Sequence, residues 1–379
     1  MSAPLEGVVV VSLEQAISAP FATRQLADLG ATIIKIERPE GDFARAYDGK
    51  VKGESAFFVW ANRGKQSVVL DIKDPDDLAT FWALVAGADV FMHNIAPASA
   101  ARLGIDAETL HARFPALIAC EISGYGPGGP RSDDKAYDLA IQAEAGAFSV
   151  TGDAEMSKVG FSAADISAAM YALSGVLAAL VRRDRTGEGA AIGVSMLDSL
   201  AEWMSAPLYA AAYGGGQAPR TGRRHHAIAP YGTYPLADGT TVLIAIQNDR
   251  EWQSFAETVM DDAALGTDPR FATNAVRIAN VDELEREILE AFTRVSAAEI
   301  RSRLVSAGIA TANVNDLAEV WQHDQLRARD RFVDVALPNG RIEMLKSPFD
   351  ISDWDPGAQS VPSLDEHDVT VVRRITESD

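Results

Sequence analysis

The feature that most constrains this chain is an alternation of β-rich and helix-patterned stretches through its first third. VVVVSL (8–13) is a β-branched run, APFATRQLADLGA (19–31) has helical spacing and closes on a glycine, and TIIKIE (32–37) is β-rich again. QSVVLDI (66–72) leads into DPDDLATFWALVAGAD, which opens on acids and Pro75 before a helical pattern. ADVFMHNI and ALIACEISGYG supply two more strands. Strands interleaved with helices predict a Rossmann-like parallel sheet with right-handed crossovers. Residues 1–200 are expected to form this large α/β domain.

A chain of 379 residues exceeds one ordinary core. The stretch AAYGGGQAPRTGRRHHA breaks the helical pattern with glycines and a proline, so 201–227 is read as a linker. Beyond it TYPLADGTTVLIAI predicts a strand pair around Asp238 and Gly239, followed by helices near 249–261, 281–293 and 297–307. That defines a smaller α+β domain over 228–322. Strand patterns resume around Pro338, Asn339 and Gly340, and 323–379 is expected to return to the large domain.

Charge removes several partners. With 34 basic against 54 acidic residues the net charge is −20, which repels polyphosphate and anionic membranes, so neither nucleic acid nor membrane is an expected partner. The single cysteine, Cys120, cannot pair within the chain and lies in an apolar run, which suits a buried inert thiol and a cytoplasmic location. The amino terminus lacks a basic leader. The uncharged stretch Ile166 to Val181 is shorter than the roughly 20 residues a membrane span needs.

The opening β-α-β ends on Glu37, where dinucleotide-binding folds place a ribose ligand. Yet no glycine occurs between Val11 and Gly30, so a G-x-G-x-x-G turn is missing. H-E-x-x-H, paired cysteines, a G-x-S-x-G elbow and a P-loop are also missing, so no metal site is expected. Carboxylate chemistry supported by scattered cations remains. The conspicuous carboxylate is Asp165 in VGFSAADISAAMYALSGVLAALVRR (159–183), at the mouth of a helix whose large apolar residues are Met170, Leu173, Leu177, Leu180 and Val181. It suits either an N-cap or a nucleophile.

In order and spacing, PLEGVVVVSLEQAISAP, LADLGATIIKIERPEGD, NRGKQSVVLDIKDPD, ADVFMHNIAPASAARLGID, ISGYGPGGP, KAYDLAIQAEAG, FSAADISAAMYALSGVLAAL and GEGAAIGVSMLDSL resemble the class III CoA-transferases, the CaiB/BaiF family. The likeness is dense to about residue 200 and looser beyond. It implies a large domain holding the nucleotide end of coenzyme A, a small domain capping the thioester, and two subunits interlocked as a homodimer. Coenzyme A is then substrate and product, with no bound cofactor. The family's nucleophilic aspartate falls on Asp165. A carboxylate of ordinary pKa near 4 would be ionised at neutral pH and attack a thioester without a base. Backbone N–H groups at the helix start or the glycine-bearing linker are the expected oxyanion donors.

The same resemblance places Arg38, Leu70 and Lys73 at positions contacting the adenosine and its phosphates, and Asn94, Arg102 and Lys135 at further contacts with coenzyme A. Arg and Lys at strand ends also suit phosphate groups on physical grounds, against the plainer reading of solvated surface cations. The family's α-methylacyl-CoA racemases carry a His-Asp pair where this chain has Tyr137 and Asp138. A tyrosine with a pKa near 10 is a poor base, which favours transfer over proton exchange. Asp138 is read as orienting the loop or the substrate, or as a surface salt-bridge partner.

The formyl-CoA transferase branch has a glutamine where this chain has Ile17 and a four-glycine loop that is absent here, so formate and oxalate are disfavoured. GRRHHAIAPYGTY resembles the branch acting on four- and five-carbon dicarboxylates such as succinate, mesaconate, itaconate and citramalate. Arg223, Arg224, His225 and His226 could anchor a second carboxylate, or form a solvated basic turn. A racemase or a CoA-binding protein without turnover stands as the alternative.

Overall fold

A computed structural model describes residues 2–370 and 372, apart from 218 and 358. The chain divides into two compact units: one takes in the chain up to Ala147, Lys158–Ala206 and everything from Gln325 onward, the other Phe148–Ser157 and Pro207–Asp324.

The first unit is built on six strands: β1 (Val9–Leu13), β2 (Thr32–Glu37), β3 (Lys65–Val69), β4 (Val90–His93), β5 (Ile118–Ser123) and β6 (Ala190–Ser195). They lie in the order β3-β2-β1-β4-β5-β6 with every pairing parallel, Val10 sitting beside Ile33 on one side and Val90 on the other. β-branched runs suit such strands because both faces are buried. The two-residue period sorts their side chains into two cores. Val10, Ile33, Met92 and Cys120 pack with the helices Ser18–Asp28 and Ala163–Thr186. Val9, Val11, Ile34 and Phe91 pack with the helices Pro75–Ala86 and Ala107–Arg113.

The helix Ala163–Thr186 buries a stripe of small residues, among them Ala164, Ala168, Ala169, Ala172 and Ala179, together with Leu173, Val176 and Leu180. The spacing of its large residues misjudges that face: Val181 is exposed and Met170 and Leu177 are only half-buried. Short side chains let the helix lie close against its neighbours, so the alanines, and not the bulkier residues, mark the contact. It is long enough and apolar enough to cross a membrane by length and composition alone, but half of its apolar window is buried in this core. Gly187 ends it in the left-handed conformation, φ 73°, its N–H bonding to the Arg183 carbonyl at 2.7 Å.

In the second unit β7 (Tyr231–Pro235), β8 (Thr241–Ala245) and β9 (Ala310–Asn313) form an antiparallel sheet. Its core holds Trp252, Phe255, Leu284, Ile288 and Phe292. The start of the stretch expected to be a linker is helical, covered by Met196–Trp203, which belongs to the first unit, and Ser205–Tyr213, and Phe148–Ser157 groups with the second unit although it falls within the expected large domain. Back in the first unit, β10 (Phe332–Leu337) and β11 (Gly340–Leu345) form a hairpin.

Candidate active site

In a parallel sheet wound in both directions from its centre, the loops beyond the strand ends diverge where the winding reverses and leave a crevice. Here the reversal lies between β1 and β4. The loop Gln15–Ser18 after β1 and the segment Asn94–Pro97 after β4 line a cleft of about 930 Å³ at that point. Asp133–Leu139 and the start of the helix Ala163–Thr186 close further sides, and Phe43, Tyr47, Phe57 and Trp60 supply an aromatic wall. Every lining residue belongs to the first unit.

Asp165 sits in the first turn of that helix and faces the cleft. It is not the cap. The N-cap residue Ser162 makes no side-chain cap bond. The cap comes instead from another helix: Asp138 Oδ1 accepts the N–H groups of Ala164 at 2.8 Å and Asp165 at 3.3 Å. Ala163 N–H bonds to the Phe161 carbonyl and Ile166 N–H to the Ser162 carbonyl. All four amides at this helix start are therefore engaged, and the expectation that they are free to stabilise an oxyanion does not hold.

Burial at the cleft wall, reinforced by the Asp138 carboxylate, pushes the Asp165 carboxyl up to about 7. That replaces the ordinary value expected from residue type, because the sequence does not show that the group leaves water beside a second anion. Near neutrality both its forms are populated. Burial, with Asp42 and Asp165 nearby, also raises the Tyr47 phenol.

Five of the residues singled out from sequence line the cleft: Asp165, Tyr137, Asp138, Asn94 and Lys135. Tyr137 is two-thirds exposed, 66%. Lys135 is exposed and forms no ion pair among the described residues. Asn94 spends its amide on the protein: Nδ2 donates to the Gln15 carbonyl at 2.8 Å and to Ser18 Oγ at 3.1 Å, while Oδ1 accepts Gln15 N–H at 3.0 Å.

The others stand outside the lining. Arg38 follows β2 with its guanidinium exposed and Nε donating to the Gly41 carbonyl at 2.9 Å. Leu70 follows β3 with its side chain buried in the core, leaving only its backbone to meet a ligand. Lys73 is exposed just beyond, and Arg102 is exposed with Nη2 donating to Ser99 Oγ at 2.8 Å. In the second unit Arg223 pairs with Glu285 at 2.8 Å and bonds to the Thr233 carbonyl, and Arg224 pairs with Asp282 at 2.8 Å. His225 stacks between His226 and Tyr231, with ring centroids 4.8 and 4.9 Å away. Both guanidinium groups are thus already neutralised by carboxylates.

Sequence reasoning missed Gln142. This fully buried side chain donates to Asp138 Oδ2 at 2.7 Å and to the Phe161 carbonyl at 3.1 Å, and accepts Val159 N–H at 2.9 Å. It thereby fixes both Asp138 and the approach to Asp165. The four-residue spacing of Asp138 and Gln142 in DLAIQ was the available signal. The aromatic wall carried none, since FFVW reads equally well as core.

Comparison with known proteins places the chain in a family. The family model for CoA-transferase family III matches residues 5–368. The acetyl-CoA:oxalate CoA-transferase of Acetobacter aceti is 36% identical, covering 96% of this chain and 93% of that protein. The succinate–glutarate CoA-transferase of Agrobacterium fabrum is 31% identical over 98% of this chain and 96% of its own length. The crystal structure of a CaiB/BaiF family protein from Brucella suis superposes with a TM-score of 0.85 at 31% identity, covering 99% of this chain and 100% of that one.

Proposed function

The chain belongs to CoA-transferase family III and is an enzyme, and from that premise we propose that it moves coenzyme A between small dicarboxylic acids through Asp165. The observation that carries the reading is the Asp165 carboxylate in the first turn of a capped helix, facing the crevice at the point where the sheet's winding reverses.

In the proposed reaction a carboxylate oxygen of Asp165 attacks the thioester carbonyl carbon. The C–S bond breaks, CoA thiolate leaves, and a mixed anhydride joins Asp165 to the acyl group. The thiolate then attacks the aspartyl carbonyl carbon, which expels the donor acid and leaves an aspartyl-CoA thioester. An acceptor carboxylate reverses the two steps and regenerates Asp165. Each step exchanges an oxygen or sulfur nucleophile at an acyl carbon, so no electrons leave the system. Attack requires the ionised form of Asp165.

For coenzyme A, we assign the exposed cations Arg38, Lys73 and Arg102, beyond the ends of β2, β3 and β4, to its phosphates, with Leu70 contributing backbone alone. Lys135, in the cleft and without an ion pair among the described residues, is the assigned contact for an anionic group of the substrates. Arg223 and Arg224 would have to leave Glu285 and Asp282 to serve, and they are the weaker assignment. Oxalate, disfavoured on residue 17, returns as a candidate because the Acetobacter aceti relative is named for it. A homodimer is part of this reading, and sedimentation should give twice the 40.5 kDa chain mass.

Incubation with acetyl-CoA or succinyl-CoA and a mixture of oxalate, succinate, glutarate and mesaconate in D2O, followed by mass spectrometry of the CoA esters, tests the proposal. New esters that vanish in Asp165→Ala support it. Deuterium gained at the α-carbon of a branched acyl-CoA, without new esters, would replace it with a racemase.

A further inference from the structure

Behind the cleft loop Gln15–Ser18 lies a buried network of charges that the transfer chemistry does not use. Lys35 on β2 is fully buried, with Nζ 2.7 Å from Asp42 Oδ2, 3.0 Å from Asn62 Oδ1 and 3.7 Å from Glu14 Oε1. Lys65 on β3 is also buried, with Nζ 2.6 Å from Glu14 Oε1, 2.9 Å from the Pro20 carbonyl and 3.0 Å from Asn62 Oδ1. Ions taken out of water are costly to keep even when paired, so a core sheet has no need of them for stability alone.

What the network holds is the loop. Asp42 Oδ1, on the carboxylate that Lys35 grips, accepts Ala16 N–H at 3.1 Å and Ala44 N–H at 2.9 Å. Ala16 has φ 58°, a left-handed conformation that alanine adopts reluctantly because its Cβ crowds the backbone. On the other side Asn94 fastens Gln15 and Ser18. Glu14 Oε2 accepts the Thr23 hydroxyl at 2.8 Å, which fixes the helix that follows. Ile17, Ala19 and Phe21 of that following stretch share one core with Ala163, Ala164 and Ala168, which flank Asp165. Both the loop and Asp165 line the same cleft.

We infer that Asp42, oriented by Lys35, is a positioning residue: it forces Ala16 into its left-handed conformation and so sets the cleft loop against the helix that carries Asp165. This rests on the proposed transferase reading for its kinetic consequence, but not for its structural one. Burial works against the charge on Lys35, yet Asp42, Glu14 and Glu37 outweigh it and raise its pKa, so the grip persists across the neutral range. A misplaced loop should slow the chemical step more than it weakens capture of coenzyme A, since none of the cations assigned to coenzyme A lies in the loop Gln15–Ser18.

The test compares steady-state CoA transfer by the full chain, Asp42→Ala, Asp42→Asn, and Asp42→Ala combined with Ala16→Gly. Asp42→Ala should lower kcat about 30-fold with KM for the acyl-CoA within about threefold. Asp42→Asn, whose Oδ1 still accepts from Ala16, should lose less than Asp42→Ala. Glycine meets the left-handed conformation without strain, so Ala16→Gly should restore about fivefold of the kcat lost in Asp42→Ala. Equal losses in the alanine and asparagine variants, no glycine rescue, or a wild-type kcat in Asp42→Ala would each overturn the inference. If Asp42→Ala does not fold, the crystal structure of Asp42→Asn decides: Ala16 retained at positive φ supports the inference, and Ala16 released despite an intact Oδ1 contact overturns it. If the wild type transfers no CoA between any tested pair, the functional reading fails alone, and the conformation of Ala16 in the variant crystals still judges the loop.

Discussion

Asp138 stands in two relationships to Asp165 at once: its Oδ1 accepts the Asp165 backbone N–H at 3.3 Å, and its negative charge helps push the Asp165 carboxyl up to about 7. The same group therefore fixes where the candidate nucleophile sits and limits when it is ionised.

That coupling makes the pH profile informative. Because attack needs the carboxylate, kcat/KM should rise with pH to a plateau, its acid limb lying near the Asp165 pKa of about 7 and falling about tenfold per unit below it. Asp138→Asn keeps an oxygen for the two amides and removes the charge, so the limb should move to lower pH. It should stop short of an ordinary carboxylate value, since burial is the larger cause. A limb that stays in place in Asp138→Asn would remove Asp138 from the electrostatics.

Stability should respond in the opposite direction. The folded pKa of Asp165, about 7, is raised above its unfolded value, so protonation favours the fold. The favourable contribution is complete below pH 4 and is lost as pH climbs through 7, amounting to about 3–4 kcal/mol at most. Asp165→Asn should then be more stable than wild type at pH 8 and match it near pH 4, as read by urea unfolding.

The lone thiol offers a control on core integrity. Cys120 is buried in β5, and burial pushes its pKa up to about 12. A neutral thiol out of reach of water is inert. Dithionitrobenzoate should leave the native chain unmodified at pH 8 and release one equivalent of thionitrobenzoate after denaturation.

For the second unit, Arg223→Ala and Arg224→Ala separate two roles. Their ion pairs with Glu285 and Asp282 are partly solvent-exposed, so each substitution should cost less than about 1 kcal/mol of stability. If the pairs are structural only, KM for the acid substrates should stay within about twofold. A tenfold rise in that KM would return the pair to the substrate site.

The sheet was legible because β-branched runs such as TIIKIE are hard to place anywhere but in a two-faced parallel core. Asp165 was legible because it interrupts an apolar stretch. The identity of its cap was not: Asp138 lies 27 positions away in sequence, and no local pattern links them. Nor could spacing show the buried face of the long helix, where alanines outrank leucines through closeness of approach. Lys35 and Lys65 were hidden for a related reason, since a lysine within a strand reads as an outward residue until its partners are known.

One consequence follows from how the first unit is threaded. Arg63 Nη1 donates to the Leu345 carbonyl at 2.6 Å, Trp354 Nε1 to the Asp28 carbonyl at 3.2 Å, and Val69 N–H to Asp365 Oδ1 at 2.9 Å. During synthesis the strands β1 to β6 leave the ribosome long before those partners do. The larger part of the second unit, Pro207–Asp324, is translated in between, while the edge strand β3 waits uncovered. Domains commonly fold in the order they emerge, but here the second unit can finish first and the earlier-made sheet must remain soluble until residue 365 arrives.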